Sequence, residues 1–241
     1  MHERMQQDAR GAILCDAAVS PQVEKDWFAP EYWRERHALH VQAGGRGGVA
    51  IIESPLGDCV LRHYRRGGLV RALMGDRYLW TGANRTRPFM EFRLLAEITR
   101  LGLPGPRAVA ARYVRHGLCY RADLITRRIA SAQTLADCLA VGRLDRELAG
   151  QVGAVIGRFH RAGIWHADLN AHNVLVSPGG LHLIDFDRGR QREPAAAWQQ
   201  ANLQRLRRSL LKLGAASEGL AVFENKIWQP LLHRHERTLT S

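Results

Sequence analysis

Between Gly163 and Asp187 the chain reads GIWHADLNAHNVLVSPGGLHLIDFD. An Asp stands two residues after a His, an Asn five residues after that Asp, and a further Asp opens a DF dipeptide: His166, Asp168, Asn173 and Asp185. These types in this order suit phosphoryl transfer. Asp168, on a turn, offers a carboxylate to accept the proton of an attacking hydroxyl, while Asn173 and Asp185 supply hard oxygens for a Mg²⁺ that bridges the phosphates of ATP.

The elements around them must hold that constellation. Residues 173–176 and 181–184 are apolar or alternating runs separated by the turn cluster Ser-Pro-Gly-Gly at 177–180, which predicts a hairpin. Such a hairpin puts Asn173 at the start of one strand and Asp185 at the end of the next, close enough to share a cation. The alternative reading, loop and turn acids in chance register, needs four polar positions and the hairpin to coincide. An HxDxxxxN pattern followed by DF is the grammar of protein-kinase-like enzymes.

That grammar sets expectations upstream. The glycine-rich stretch 44–48, with Gly45, Gly47 and Gly48, precedes apolar strands predicted at 49–52 and 59–64. It would let backbone N–H groups approach ATP phosphates without Cβ obstruction. A phosphate-clamping cation is expected on the second strand, normally Lys, yet Lys occurs only at 25, 212 and 226. The matching position is Arg62, a wider and less movable cation, with an exposed strand Arg as the alternative. Residues 88–102 have helical spacing, with Phe92, Leu95, Ile98 and Leu101 on one stripe. Glu91, in the first turn, is chosen over Glu97 as the partner of Arg62.

Strands are predicted at 108–113 and 120–126, a nucleotide-contacting hinge at 127–130, and helices at 134–139 and 148–162. This is the α+β, bilobal plan of a protein-kinase-like fold. It implies a single kinase-like domain over 1–241: an N-terminal extension 1–43, a small β-rich N-lobe 44–127 and a compact helical C-lobe 128–241. Within the extension a helix is predicted around 21–28. Its aromatic patch, Trp27, Phe28, Tyr32 and Trp33, is read as core packing in preference to membrane-interface contact.

At 241 residues with 46% hydrophobic content, the chain has material for a core. No apolar run approaches the roughly 20 residues that span a bilayer, and the first eight residues lack a secretory stretch, so the expected location is cytoplasmic. Cysteines 15, 59, 119 and 138 form no CxxC, which favours reduced thiols over a zinc site or disulfide framework. The net charge of +12 attracts anionic partners, though the Arg excess also fits plain genomic composition. Arg65, Arg66 and Arg71 lie in an Arg- and Gly-rich segment between Arg62 and Glu91 and are candidate acceptor-binding residues, with a solvated charge run as the alternative. Residues 198–213 predict an amphipathic helix with Arg205, Arg208 and Lys212 off its leucine stripe. It reads as a core-facing helix or as an attachment to anionic lipid. No APE and no long helical platform follow Asp187, so a small-molecule or lipid-linked acceptor is expected in preference to a protein.

Together HADLNAHN at 166–173, LIDFD at 183–187, LRHYRRGG at 61–68, EFRLL at 91–95 and YRADLI at 120–125 resemble the 3-deoxy-D-manno-octulosonic acid (Kdo) kinases of the lipopolysaccharide kinase family. The resemblance covers roughly residues 40–213. It implies ATP-dependent, Mg²⁺-assisted phosphorylation of the Kdo sugar on a lipid A precursor, at its 4-hydroxyl, by a peripheral enzyme on the cytoplasmic face of the inner membrane. That acceptor's carboxylate and phosphates, and the anionic membrane surface, would account for the charge. Neither nucleic acid nor an obligate protein partner is expected. Another sugar or amine kinase, a RIO-like protein kinase and a nucleic-acid-binding pseudokinase are the remaining readings.

Overall fold

A computed structural model of the chain describes residues 2–18, 22–41, 49–65 and 75–240. The chain divides into two compact units, Met1–Ala96 with Pro106–Arg128, and Glu97–Gly105 with Ile129–Ser241.

The first unit is built on an antiparallel sheet. Its strands are β1 (Glu3–Gln7), β2 (Gly11–Asp16), β3 (Leu39–Val41), β4 (Val49–Ser54), β5 (Gly57–His63), β6 (Tyr78–Leu79), β7 (Ala108–His116) and β8 (Cys119–Arg127). They run in the order β1-β2-β7-β8-β5-β4-β3, with β6 pairing β8 beside β5. The two-residue connection between β7 and β8 uses Gly117 at φ 61°, a conformation that costs glycine little. Strand alternation then sorts side chains by face. Cys59 and Leu61 enter a buried cluster with Ile13, Cys15, Ile52 and Ile125, and Trp27, Phe28 and Trp33 fill it. Trp33 donates its indole N–H to the Trp27 carbonyl at 2.7 Å, and the two rings meet edge to face at 5.4 Å. The aromatic patch is therefore core. Arg62, one residue out of phase with Leu61, is directed to the opposite face of the sheet.

The N-terminal segment departs from the expected helix at 21–28. Lys25–Phe28 is a short 3-10 turn, and the helix proper is Pro30–Glu35, with Pro30 at its start, where its fixed φ suits a first turn. Residues Glu3–Gln7 and Gly11–Asp16 are strands of the same sheet as β4 and β5, and Glu97–Gly105 clusters with the second unit.

In the second unit the helix Arg146–Arg161 packs on the helix Gln229–Thr240. Glycines at 153 and 157 make this possible: a Cβ on Gly153 would lie 2.0 Å from the Leu231 carbonyl oxygen, and one on Gly157 2.9 Å from that of His235. Among the described residues no helix is long and apolar enough to cross a membrane.

The same two helices share a buried imidazole pair, His160 Nδ1 to His235 Nε2 at 2.8 Å, in which one ring donates and the other accepts. Burial pushes His160 down to about 3 and His235 down to about 4. Because the folded values lie below the ordinary 6.5, the unfolded chain binds these protons first. Their contribution to stability is thus full above about pH 6.5 and is lost as pH falls toward 4. Urea midpoints measured from pH 7 to pH 4 should fall, and His235→Gln should fall less steeply than the unaltered protein.

Candidate active site

In the first unit the structure brings Arg62 and Glu91 together. Arg62, on β5, donates from Nη2 to Glu91 Oε2 and to the Tyr64 hydroxyl at 3.1 Å, and Tyr64 donates to Glu91 Oε2 at 2.5 Å. Tyr64 follows Arg62 by two residues and so projects to the same face. The Glu91 side chain, on the helix Arg87–Arg100, is 3% exposed and that of Arg62 is 21% exposed, so this is a nearly dry ion pair. Glu97 bonds Arg100 at 2.6 Å, one turn along the helix surface. Gly45, Gly47, Gly48, Arg66 and Arg71 lie outside the described residues. Arg65 is exposed.

A hub that the sequence did not signal sits beside Arg65 on the other face of the sheet. His63 bonds Asp123 from Nδ1 at 2.7 Å and Asp76 from Nε2 at 2.9 Å, while Arg112 and Arg121 hold the two carboxylates. The bond to Asp123 raises the His63 pKa, against the opposing effect of burial.

In the second unit the helix Arg146–Arg161 hands the chain to the loop that carries Asp168 through Gly163, at φ 72°, where a Cβ would stand 2.2 Å from the Arg192 carbonyl oxygen. Strand β9 (Ile164–Trp165) leads to His166, which is 2% exposed. Its Nε2 donates to the Ile184 carbonyl at 2.8 Å and its Nδ1 accepts the Asp168 N–H at 3.1 Å. Only a neutral ring protonated at Nε2 can do both, and burial lowers the His166 pKa accordingly. Asp168 is thereby held at its backbone, a hold reinforced by Asn173 Nδ2 donating to its carbonyl at 2.9 Å.

The predicted hairpin is present as β10 (Val174–Ser177) and β11 (Gly180–Leu183), in register Val174 to Leu183. One step beyond that pair, Ile184 N–H donates to the Asn173 carbonyl at 3.0 Å, so Asp185 follows directly on a bond to Asn173. Asp185 takes φ 62°, a turn away from the strand. Phe186 anchors it, stacked on Phe159 at 5.6 Å and against His166 at 4.9 Å. With the Asn173 amide nitrogen committed to Asp168, its oxygen is the atom left to face a cation. An amide oxygen and a carboxylate are the hard donors that Mg²⁺ takes, so the residues fit such an ion.

The helix Ala196–Lys212 carries residues that sequence reading missed or assigned elsewhere. Asn202 exchanges bonds with the His166 backbone at 3.3 and 2.8 Å, and Ser209 Oγ accepts the Ala171 N–H at 3.1 Å. Between them Arg205 donates from Nη1 to Asp168 Oδ1 at 2.9 Å, and Asn170 donates to Asp168 Oδ2 at 3.1 Å. Positions 202, 205 and 209 form one helix face, a polar line that runs beside the leucine stripe. Arg205, read on the sequence alongside Arg208 and Lys212 as a candidate lipid-facing charge, has its guanidinium on Asp168.

The two glutamates of the Arg87–Arg100 helix should respond differently to removal. Glu91→Ala strands a mostly buried guanidinium and is expected to cost about 3 kcal/mol in urea denaturation. Glu97→Ala should leave the midpoint nearly unchanged.

Known proteins match the chain closely. The family model described as "Lipopolysaccharide kinase (Kdo/WaaP) family" matches residues 30–231. A 3-deoxy-D-manno-octulosonic acid kinase of Xylella fastidiosa is 47% identical over 216 residues, covering 89% of this chain and 86% of that protein. One from Xanthomonas euvesicatoria pv. vesicatoria is 51% identical over 206 residues, covering 84% and 81%. Among solved structures, "WaaP in complex with acyl carrier protein" superposes with a TM-score of 0.52 at 18% identity, covering 95% of this chain and 98% of that one. That likeness speaks to the fold, and it agrees with an α+β, protein-kinase-like architecture of a sheet unit and a helical unit. By its match to the family model and to these relatives, the chain belongs to the lipopolysaccharide kinase (Kdo/WaaP) family.

Proposed function

We propose that the chain transfers the γ-phosphoryl group of ATP to the 4-hydroxyl of a Kdo sugar on a lipid A precursor, in assembly of the lipopolysaccharide inner core. The observation that carries the acceptor is the 47% identity, across 89% of this chain, to a relative named as a kinase of this sugar acid. The phosphotransferase chemistry itself follows from the family.

In this reading the two units are the N-lobe and C-lobe of one kinase-like domain. Asp168 accepts the proton of the attacking hydroxyl, its backbone fixed by His166 and Asn173 and its two carboxylate oxygens by Arg205 and Asn170. Asn173 and Asp185 would hold Mg²⁺, which would supply charge neutralisation on the ATP phosphates. Arg62 clamps the α- and β-phosphates, with Glu91 and Tyr64 setting its direction, and the glycines at 45, 47 and 48 cover the phosphates with backbone N–H groups. An Arg in place of the usual Lys brings a planar fork of donors whose position is fixed from two sides.

Arg65, Arg66 and Arg71 receive the anionic groups of the acceptor. The net charge of +12 supports work at an anionic membrane surface, on the cytoplasmic face of the inner membrane, with peripheral attachment.

Transfer of label from [γ-³²P]ATP to Kdo-bearing lipid A precursor, set against free Kdo, an aminoglycoside and a generic protein, tests the acceptor. Strong labelling of the aminoglycoside or the protein would replace this reading. Asp168→Asn should keep the fold and ATP binding and lose on the order of 10²-fold or more in turnover. Near-normal turnover removes Asp168 from the mechanism. Changing Arg65, Arg66 and Arg71 together to Gln should raise the acceptor KM and leave the ATP KM nearly untouched. Added salt should mimic the defect, since the field is screened within about 8 Å at physiological ionic strength.

A further inference from the structure

Arg205 reaches Asp168 from a rigid base. Asn202 and Ser209, on the same helix face, are bonded to His166 and Ala171, so the helix is fixed against the catalytic loop on both sides of Arg205. As a source of stability the pair counts for little. Its side chains are 47% and 59% exposed, a setting in which ion pairs are screened and paid for in side-chain entropy. Exposure instead leaves the guanidinium open to what arrives at Asp168. Its planar fork has five N–H donors, of which Nη1 engages Asp168 Oδ1 at 2.9 Å, while Asn170 holds the other carboxylate oxygen.

Among the described residues, Arg205 is the cation paired with Asp168.

We propose that Arg205 binds the carboxylate of the acceptor sugar acid and so sets the hydroxyl of that sugar beside Asp168. This rests on the reading of the chain as a kinase of a Kdo-bearing acceptor. The fork of the guanidinium matches a carboxylate with two parallel bonds, which fixes direction as well as position. Arg205 is then a specificity-determining residue: it selects an acidic sugar over a neutral one at the atom where the proton is removed.

The test is steady-state kinetics with ATP and two detergent-dispersed acceptors, the Kdo-bearing lipid A precursor and the same molecule with its Kdo carboxyl groups methyl-esterified. The unaltered protein should favour the free acid on the order of 10- to 100-fold in kcat/KM, the scale of a charged hydrogen-bonded contact. Arg205→Gln should cut the acid more than the ester, so that the acid-to-ester ratio of kcat/KM falls to about one, and leave the ATP KM unchanged. Arg205→Lys, a point charge without the fork, should keep an intermediate ratio, and it carries the test if the Gln variant fails to fold. Equal losses on both acceptors would overturn the proposal and reduce Arg205 to an aid to Asp168, and no loss on either would overturn it outright. If the unaltered protein labels neither acceptor, it is the proposed function that fails, and this assignment with it.

Discussion

In the second unit the loop that carries His166 and Asp168 hangs on one neutral imidazole. His166 joins the residue before Asp185 to the backbone of Asp168 through opposite ring nitrogens, so the two acids are placed by a single rigid body. A charged ring would turn Nδ1 into a donor facing the Asp168 N–H, leaving two buried donors opposed. Burial prevents this by making the charged form costly, and the packing that buries the ring is the same Phe186 contact that steadies the DF turn.

Two arginines near candidate functional groups work under opposite dielectric conditions. Arg62 and Glu91 sit in a nearly dry place, where an ion pair must be complete or it is costly, and Tyr64 adds a hydrogen bond to each. Such a pair holds direction rigidly. Arg205 and Asp168 sit in water, where pairing is weak and exchange with a charged ligand is cheap. The first arrangement suits a cation that must not move, and the second suits one that must meet an arriving anion.

The close approach of the helices Arg146–Arg161 and Gln229–Thr240 ties this chemistry to the core of the second unit. Glycines at 153 and 157 let the partner backbone come within reach, and His160 and His235 then complete each other where water is excluded. Gln199 extends the contact by donating to the His160 carbonyl at 3.3 Å, which links the helix carrying Arg205 to the same buried cluster.

Local spacing was enough for the hairpin between Asn173 and Asp185 and for the order of His166 and Asp168, because each depends on short-range periodicity and turn chemistry, whereas the pairing of Arg62 with Glu91, 29 residues apart, was read from the kinase-like pattern. The strand Gly11–Asp16 was harder to read. Its residues are all buried, and a short buried run lacks the alternation that marks a half-exposed strand. The helix at 30–35 was also missed, since six residues give too little periodicity to outweigh the neighbouring aromatics. The roles of Asn202, Arg205 and Ser209 were decided by tertiary structure alone. On the sequence they are the polar side of an ordinary amphipathic helix, and only the docking of that helix on the loop, more than thirty residues upstream, turns one solvated charge into the partner of Asp168. Spacing reports which side chains share a face, whereas which face meets which loop is set by the packing of the whole unit.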